Sequence, residues 1–136
     1  TSAASWSVTY IPANLEAGNQ TSNIGYLNIP QQVFTDAYPI VLADSGKHLY
    51  HPASDANARQ VTIPANGTIP FPIGSAITIV NDSANDVTVV ITTDVLKYAD
   101  VGTITTLTIP TDNQATILKV LAAQWNATGT AGCTTA

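Results

Sequence analysis

Two histidines and nine carboxylates are the side chains of this 136-residue chain that are best suited to catalysis or metal binding. His48 and His51 lie three residues apart in a short stretch that ends at Pro52, and this spacing lets both bind one metal ion only on a helix or in a turn. On a β-strand they point to opposite faces, His48 with Tyr50 and His51 with Leu49. Since no cysteine or acidic pair stands beside them in sequence, we predict polar strand residues and no metal.

The acidic residues are dispersed, and nearly all of them fall in predicted turns, where an aspartate bonds to its own backbone. Gly46-Lys47 lacks the upstream glycine of a phosphate loop, and His48 follows where that loop needs Ser or Thr. The plain interpretation is a hairpin turn, with Asp44 bonded to the backbone and Gly46 at positive φ. We therefore predict no catalytic residue and no cofactor. A glycosidase, whose carboxylate pair would assemble from distant loops, is the enzymatic alternative.

Charge is scarce in this chain. Charged residues make up 10% of it, the formal net charge is −5 and the sequence pI is about 4.4. The four basic residues, Lys47, Arg59, Lys97 and Lys119, form no basic stripe, so the sequence predicts no nucleic-acid partner and no membrane surface as partner. The single cysteine, Cys133, cannot form an internal disulfide, which fits a protein made in a reducing cytoplasm.

Short apolar runs separated by turn signals account for most of the chain. Val87–Ile91 alternates between the two faces of a strand, and Asn66-Gly67 is a strong turn dipeptide because both residues tolerate positive φ. Three prolines between residues 64 and 72 lack the N–H that a central strand needs, so they belong at strand ends or edges. Roughly eight to ten short strands at this spacing predict an all-β sandwich or barrel.

Three segments follow from this pattern. Residues 1–23 are interpreted as a strand that runs into an irregular arm, residues 24–129 as the sandwich body, and residues 130–136 as a loose tail. Most of the aromatic residues are expected in the core, and Trp6 and Tyr10, which precede the irregular part, are either core residues or anchors for a partner. The stretch Ala115–Ala122 carries aliphatic side chains on both faces, and we expect its residues Ile117, Lys119 and Leu121 to help pair copies of the chain.

Several motifs between residues 38 and 129, about two thirds of the chain, resemble those of small structural proteins of tailed-bacteriophage virions. They are Leu42-Asp44-Gly46-Lys47, Thr62-Ile63-Pro64-Asn66, Phe71-Pro72-Gly74-Ile77-Ile79, Ala115-Thr116-Lys119-Val120, and Trp125 with Gly129. A free-standing chain of 14.1 kDa is most similar, among these proteins, to the capsid decoration or cementing proteins. The resemblance implies a jelly-roll-like antiparallel β-sandwich on the outside of the capsid.

This resemblance also implies a function. The chain is expected to be a non-enzymatic virion protein, assembled in the host cytoplasm, that binds the major capsid protein and forms a homodimer. Trp6 and Tyr10 are then the capsid-contact candidates, and Ile117, Lys119 and Leu121 the self-association candidates. The alternative is a tail-fibre or receptor-binding head module that grips host glycan or protein. The number of copies per virion distinguishes a decoration protein from a fibre or receptor-binding module.

Overall fold

A computed structural model of the chain describes residues 28–136. Twelve β-strands and one turn of 3-10 helix at Leu42–Asp44 form its regular structure, and these residues contain no α-helix. The strands are β1 (Gln31–Val33), β2 (Tyr38–Pro39), β3 (His48–His51), β4 (Arg59–Ile63), β5 (Ala76–Asn81), β6 (Val87–Ile91), β7 (Val95–Tyr98), β8 (Gly102–Ile104), β9 (Thr106–Ile109), β10 (Asn113–Leu121), β11 (Gln124–Gly129) and β12 (Thr134–Thr135). The prediction of an all-β body is confirmed.

The strands form two mixed sheets. The seven-stranded sheet has the order β1-β3-β5-β10-β11-β7-β8, and the five-stranded sheet has the order β12-β9-β6-β4-β2. Five of the ten strand pairings are parallel, so the expectation of antiparallel sheets is wrong. Four of these pairings arise on the path from β1 to β6, which alternates between the sheets, so that each return places a strand beside the one two before it, running in the same direction. The fifth pairs β7 with β11.

Both sheets contribute to one hydrophobic core, because the alternating residues of each strand turn one face inward. The fully buried side chains include Leu49, Ile77, Ile79, Ile117, Leu96 and Trp125 from the seven-stranded sheet, and Val61, Ile63, Val87, Val89, Leu107 and Ile109 from the five-stranded sheet. The result is a sandwich-like all-β body.

The turn before β3 is built around Asp44, but it is not the predicted hairpin, because β2 lies in the five-stranded sheet and β3 in the seven-stranded sheet. The Asp44 carboxylate accepts the backbone N–H of Val41 at 2.9 Å, and Gly46 has φ +81°. Both features were expected from the sequence. In the turn that leads into β8, Asp100 and Gly102 both have positive φ.

The expectation of a loose tail over residues 130–136 is wrong. Thr134 and Thr135 form β12, which pairs antiparallel with β9. Ala136 donates its N–H to the carbonyl of Thr106 at 3.0 Å. The edge of β9 offers free backbone donors and acceptors, and the last residues satisfy them. The predicted arm, residues 1–23, lies outside the described residues.

Candidate functional site

A buried polar cluster lies where β3 and β5 end. The His51 ring is fully buried, with Nδ1 3.0 Å from Oδ1 of Asn81 and Nε2 2.9 Å from Oδ2 of Asp55. Arg59, at the start of β4, donates from Nε to Asp55 Oδ2 at 2.7 Å and from Nη2 to Oδ1 at 3.0 Å. The Phe34 ring stacks on His51 with a centroid distance of 5.2 Å. The cluster therefore joins three strands of the two sheets.

The hydrogen bonds of Asn81 fix the orientation of its side chain. Nδ2 donates to the carbonyls of Asn85 and Ile109 at 2.8 and 2.9 Å, and Oδ1 accepts the N–H of Ser83 at 3.0 Å. His51 Nδ1 therefore faces an acceptor, as its Nε2 does, and an imidazole that carries both protons satisfies both contacts.

In this geometry, no nucleophilic side chain is hydrogen-bonded to the His51 ring. The hydroxyl of Ser83 donates to the backbone carbonyl of Asp55 at 2.7 Å rather than to the imidazole. A triad requires the base to bond the nucleophile on one nitrogen and its orienting carboxylate on the other. Here Asn81 occupies the first position, so the cluster holds strand ends and the 52–58 connection together.

The charges of the cluster reinforce one another. The hydrogen bonds from Arg59, and then from Asn57, lower the pKa of Asp55 well below its usual range, and His51 adds to this against the opposing effect of burial. The pKa of Arg59 is raised in turn by its bonds to Asp55. Asp36 lies 3.5 Å from Arg59 Nη1 at the exposed rim. The bidentate pair therefore stays ionised over the whole ordinary pH range.

A second polar contact lies under the turn before β3. The hydroxyl of Tyr38 donates to both carboxylate oxygens of the buried Asp44 at 2.9 Å. Burial, followed by the hydrogen bond to Asp44, raises the pKa of Tyr38 to about 12. The pair closes the turn that the resemblance to virion proteins singles out.

Lys119 is buried near the end of β10, with 1% of its surface exposed. Its Nζ donates to Oδ1 of Asn66 at 2.6 Å and lies 5.8 Å from the ring centroid of Trp125. The backbone N–H of Asn66 donates to Oδ2 of Asp94 at 2.9 Å. No carboxylate of residues 28–136 lies within 4.0 Å of the ammonium. A lysine this deeply buried without an ion-pair partner is unusual.

The wall beside this lysine is aromatic. Phe71 packs edge-on against Trp125 with a centroid distance of 5.3 Å. The indole Nε1 of Trp125 is buried and has no hydrogen-bond partner in the described part of the chain. Oδ1 of Asn66 and the ring face of Trp125 are therefore the contacts of the Lys119 ammonium found in the described residues, and neither carries a negative charge.

The outer face of the seven-stranded sheet is almost free of charge. One row of directly paired residues runs across five strands as Gln31, His48, Thr78, Thr116 and Thr128. A second row is Val33, Tyr50, Val80 and Gln114. A third is Ala76, Leu118, Asn126, Lys97 and Thr103. Lys97 is the one charged residue in these rows.

The outer face of the five-stranded sheet follows the same pattern. One row is Gln60, Thr88, Thr108 and Thr134, and the next is Pro39, Thr62, Val90 and Thr106. No charged side chain lies in either row. Both broad faces of the body are thus rich in hydroxyl and amide groups, and Lys97 is the one charged residue of the five rows, whereas the net charge of the chain is −5.

The predicted self-association residues do not all lie at the surface, as that role would require. Ile117 and Lys119 are buried in the core, so they cannot contact a second copy, and this part of the prediction is wrong. Leu121 is 56% exposed and its neighbour Leu118 is 40% exposed. Trp6 and Tyr10 lie outside the described residues. Of the predicted self-association residues, Leu121 alone is available to a partner.

An open groove runs over the ends of β10 and β11. It has a volume of about 210 Å³ and is lined by Gln114, Ala115, Thr116, Thr128, Gly129 and Thr130. Its polar side chains are three threonine hydroxyls and one glutamine amide, and none is charged. The groove can therefore supply hydrogen bonds to a neutral polar ligand but no acid or base.

Comparison with protein-family models gives no match, and comparison with curated proteins gives none either. Within residues 28–136, no helix has the length and apolar character needed to cross a membrane. The same residues contain no group of three or more His, Cys, Asp or Glu side chains placed to hold a metal ion.

Proposed function

We propose that this protein decorates and cements the outer surface of a tailed-bacteriophage capsid, with the major capsid protein and a second copy of itself as partners. It acts by adhesion and catalyses no reaction. In this proposal the body is a jelly-roll sandwich, and the chain reaches the capsid after synthesis in the host cytoplasm. The resemblance at residues 38–129 motivates the proposal.

The observation that carries the proposal is the scarcity of charge on both sheet faces. A face of threonine, glutamine and asparagine avoids the large cost of burying charges against a protein, provided that its polar groups find hydrogen-bond partners there. Hydroxyl and amide groups can also hydrogen-bond to another protein in many registers. Such a face suits repeated contacts on a lattice better than it suits a single charged ligand.

Many repeated contacts together give a binding affinity that one such contact lacks. When a subunit touches several neighbours, each further contact becomes intramolecular, so modest affinities combine. A protein that binds the assembled shell but not its free subunits stabilises the shell by mass action. A cementing protein therefore needs a rigid body and several moderate surfaces rather than one deep site.

Leu121, Leu118 and Val95 are the apolar residues of the outer face that we assign to self-association. Leu121 is paired with Gln124, which is paired in turn with Val95, so the first and last share one row. All three side chains are exposed. They replace Ile117 and Lys119 in this role.

Rebinding to stripped capsids tests the proposal. Capsids from which the protein has been removed are mixed with the full chain, a chain lacking residues 1–23, or a Leu121→Asp variant, and are then sedimented. We expect the full chain to rebind and to raise the temperature at which the shell opens, and both variants to bind less. Thr103→Asp, on the same face but away from the leucines, is the matched control. Failure of the full chain to bind would refute the proposal.

The groove of about 210 Å³ favours a second candidate, a tail-fibre or receptor-binding head module. Its hydroxyls and amide suit the hydroxyl groups of a host glycan. An image reconstruction of the virion separates the candidates, since hundreds of copies on the shell indicate decoration and a few at the tail indicate receptor binding. In the second case, Thr128→Trp in the groove should abolish attachment to host cells.

A further inference from the structure

We propose that Lys119 and Asn66 form an intramolecular isopeptide bond that covalently joins the two sheets. The pair has the two groups that such a bond requires, a primary amine and a side-chain carboxamide. The inference rests on the contact, the burial and the topology of these two residues, and it holds or fails independently of the capsid proposal.

The contact brings the reacting atoms together. Lys119 Nζ lies 2.6 Å from Oδ1 of Asn66, which is shorter than a usual N–H···O hydrogen bond. The amide carbon is one C=O bond from Oδ1, about 1.2 Å, so Nζ lies at most about 3.8 Å from that carbon. Reacting atoms held at about 3–3.5 Å gain effective molarities of about 10⁵ M or more. The nitrogen therefore approaches the distance from which it can attack.

Burial favours the product. The ammonium of Lys119 has one hydrogen-bond partner and no ion-pair partner in the described residues, and it is enclosed by Trp125. An uncompensated buried charge is unfavourable, whereas a buried amide carries none. Bond formation removes that charge from the interior. The leaving group is small and soluble, and its departure into water makes the step effectively irreversible.

The step balances without an oxidant or a further reactant. Lys119 Nζ gives up a proton, and its lone pair attacks Cγ of Asn66 to form a tetrahedral intermediate. Nζ then gives up a second proton and the bond between Cγ and Nδ2 breaks. Nδ2, which already carries two protons, takes up one to leave as ammonia and a second in water to become ammonium. One ammonium charge is present before the reaction, on Lys119, and one after it, on the leaving group. The only change in the chain is the loss of one ammonia.

Asp94 is a positioning residue for this reaction. Its Oδ2 accepts the backbone N–H of Asn66 at 2.9 Å and holds the turn against β10. Asn66 follows β4 of the five-stranded sheet, and Lys119 lies on β10, the central strand of the seven-stranded sheet. The bond would therefore close a loop of 53 residues across the two sheets.

The test is mass spectrometry of the folded full chain, followed by tryptic digestion. We expect the intact mass to be lower than the sequence mass by one ammonia. We also expect trypsin not to cut after Lys119, so that peptide 60–97 is recovered joined to peptide 98–136. Cyclisation of Asn66 onto the nitrogen of Gly67 loses the same ammonia but leaves these peptides separate, and that result would overturn the proposal.

Variants test the assignment. Lys119→Met and Asn66→Ser should each restore the sequence mass. Loss of ammonia that persists in Lys119→Met would overturn the proposal. Lys97 and Asn126 are directly paired on the exposed outer face and form the matched control, because this lysine–asparagine pair should stay unlinked. If a variant fails to fold, the wild-type digest still decides, and separate peptides 60–97 and 98–119 from a folded wild-type chain refute the bond.

The rate at which the bond forms tests the positioning role of Asp94. We expect Asp94→Ala to slow the appearance of the branched peptide after refolding, and Asp94→Asn, which keeps an acceptor for the N–H of Asn66, to restore the rate. Equal slowing in both variants would contradict the positioning role, because it would point to the carboxylate itself.

Discussion

Substitution of Asn81 by leucine tests whether the buried polar cluster holds the body together. The Asn81 side chain is fully buried and makes four hydrogen bonds, two as donor and two as acceptor. Leucine has a similar volume, so it leaves little cavity. It also removes every one of these bonds and leaves two carbonyls, one backbone N–H and Nδ1 of His51 without this partner.

The expected loss follows from these contacts. Each buried hydrogen bond contributes about 1 kcal/mol net, so Asn81→Leu should lower the free energy of unfolding by about 4 kcal/mol. At about 4 °C per kcal/mol for a domain of this size, the midpoint of thermal unfolding should fall by about 15 °C. Urea titration followed by circular dichroism measures the free energy, and the slope of that titration should remain unchanged.

Asn126→Leu is the matched control. Asn126 is exposed on β11, and its side chain accepts one hydrogen bond from Gln124. Its replacement should change the free energy of unfolding by no more than about 0.5 kcal/mol. A loss of less than about 1 kcal/mol for Asn81→Leu would refute the reasoning, because the partners would then be satisfied in another way.

Three further predictions concern ionisation and the backbone. Arg59 lowers the pKa of Asp55 in the folded state. The contribution of Asp55 to the free energy of unfolding is therefore fully present above the unfolded pKa and is lost as pH falls through the folded pKa. Urea titrations should accordingly show that the stability difference between the wild type and Asp55→Asn shrinks in acid. The pKa of Tyr38 is raised to about 12, so its contribution is present below the ordinary value of 10.0 and lost as pH rises through about 12. In an alkaline titration of tyrosinate absorbance, Asp44→Asn should move this midpoint down, and an unmoved midpoint would assign the whole effect to burial. Gly46 has φ +81° with open space around it, so Gly46→Ala should cost about 1 kcal/mol, measured by thermal unfolding, through backbone strain alone.

Local pattern predicted the elements of this fold but not their pairing. The alternation in Val87–Ile91 and the turn at Asp44 are properties of neighbouring residues, and both were predicted correctly. Which strands lie side by side depends on whether each connection returns to the same sheet or crosses to the other. Nothing local in residues 52–58 encodes that choice, so the parallel pairings were missed.

The buried clusters were harder to predict, because their partners are distant in sequence. The faces of His48 and His51 were predicted correctly, but Asn81 reaches His51 from 30 residues away. In β10, alternation placed Ile117, Lys119 and Leu121 on one face. The first two do face inward, and a register shift between Lys119 and Leu121 turns the last one to solvent. The sequence signal for this site was the position of Lys119, two residues after the aliphatic Ile117 and therefore on the same, buried face of the strand.

The proposed cross-link would give the chain a covalent stabilisation that it cannot obtain from a disulfide. A protein with one cysteine has no internal disulfide, and disulfides are in any case rare in a reducing cytoplasm. By the loop-closure relation used for disulfides, a link that closes 53 residues would add about 4 kcal/mol. That is a large part of the roughly 5–15 kcal/mol by which a domain is stable. An amide is not reduced by thiols, so the two sheets would stay joined in the cytoplasm and outside the cell alike.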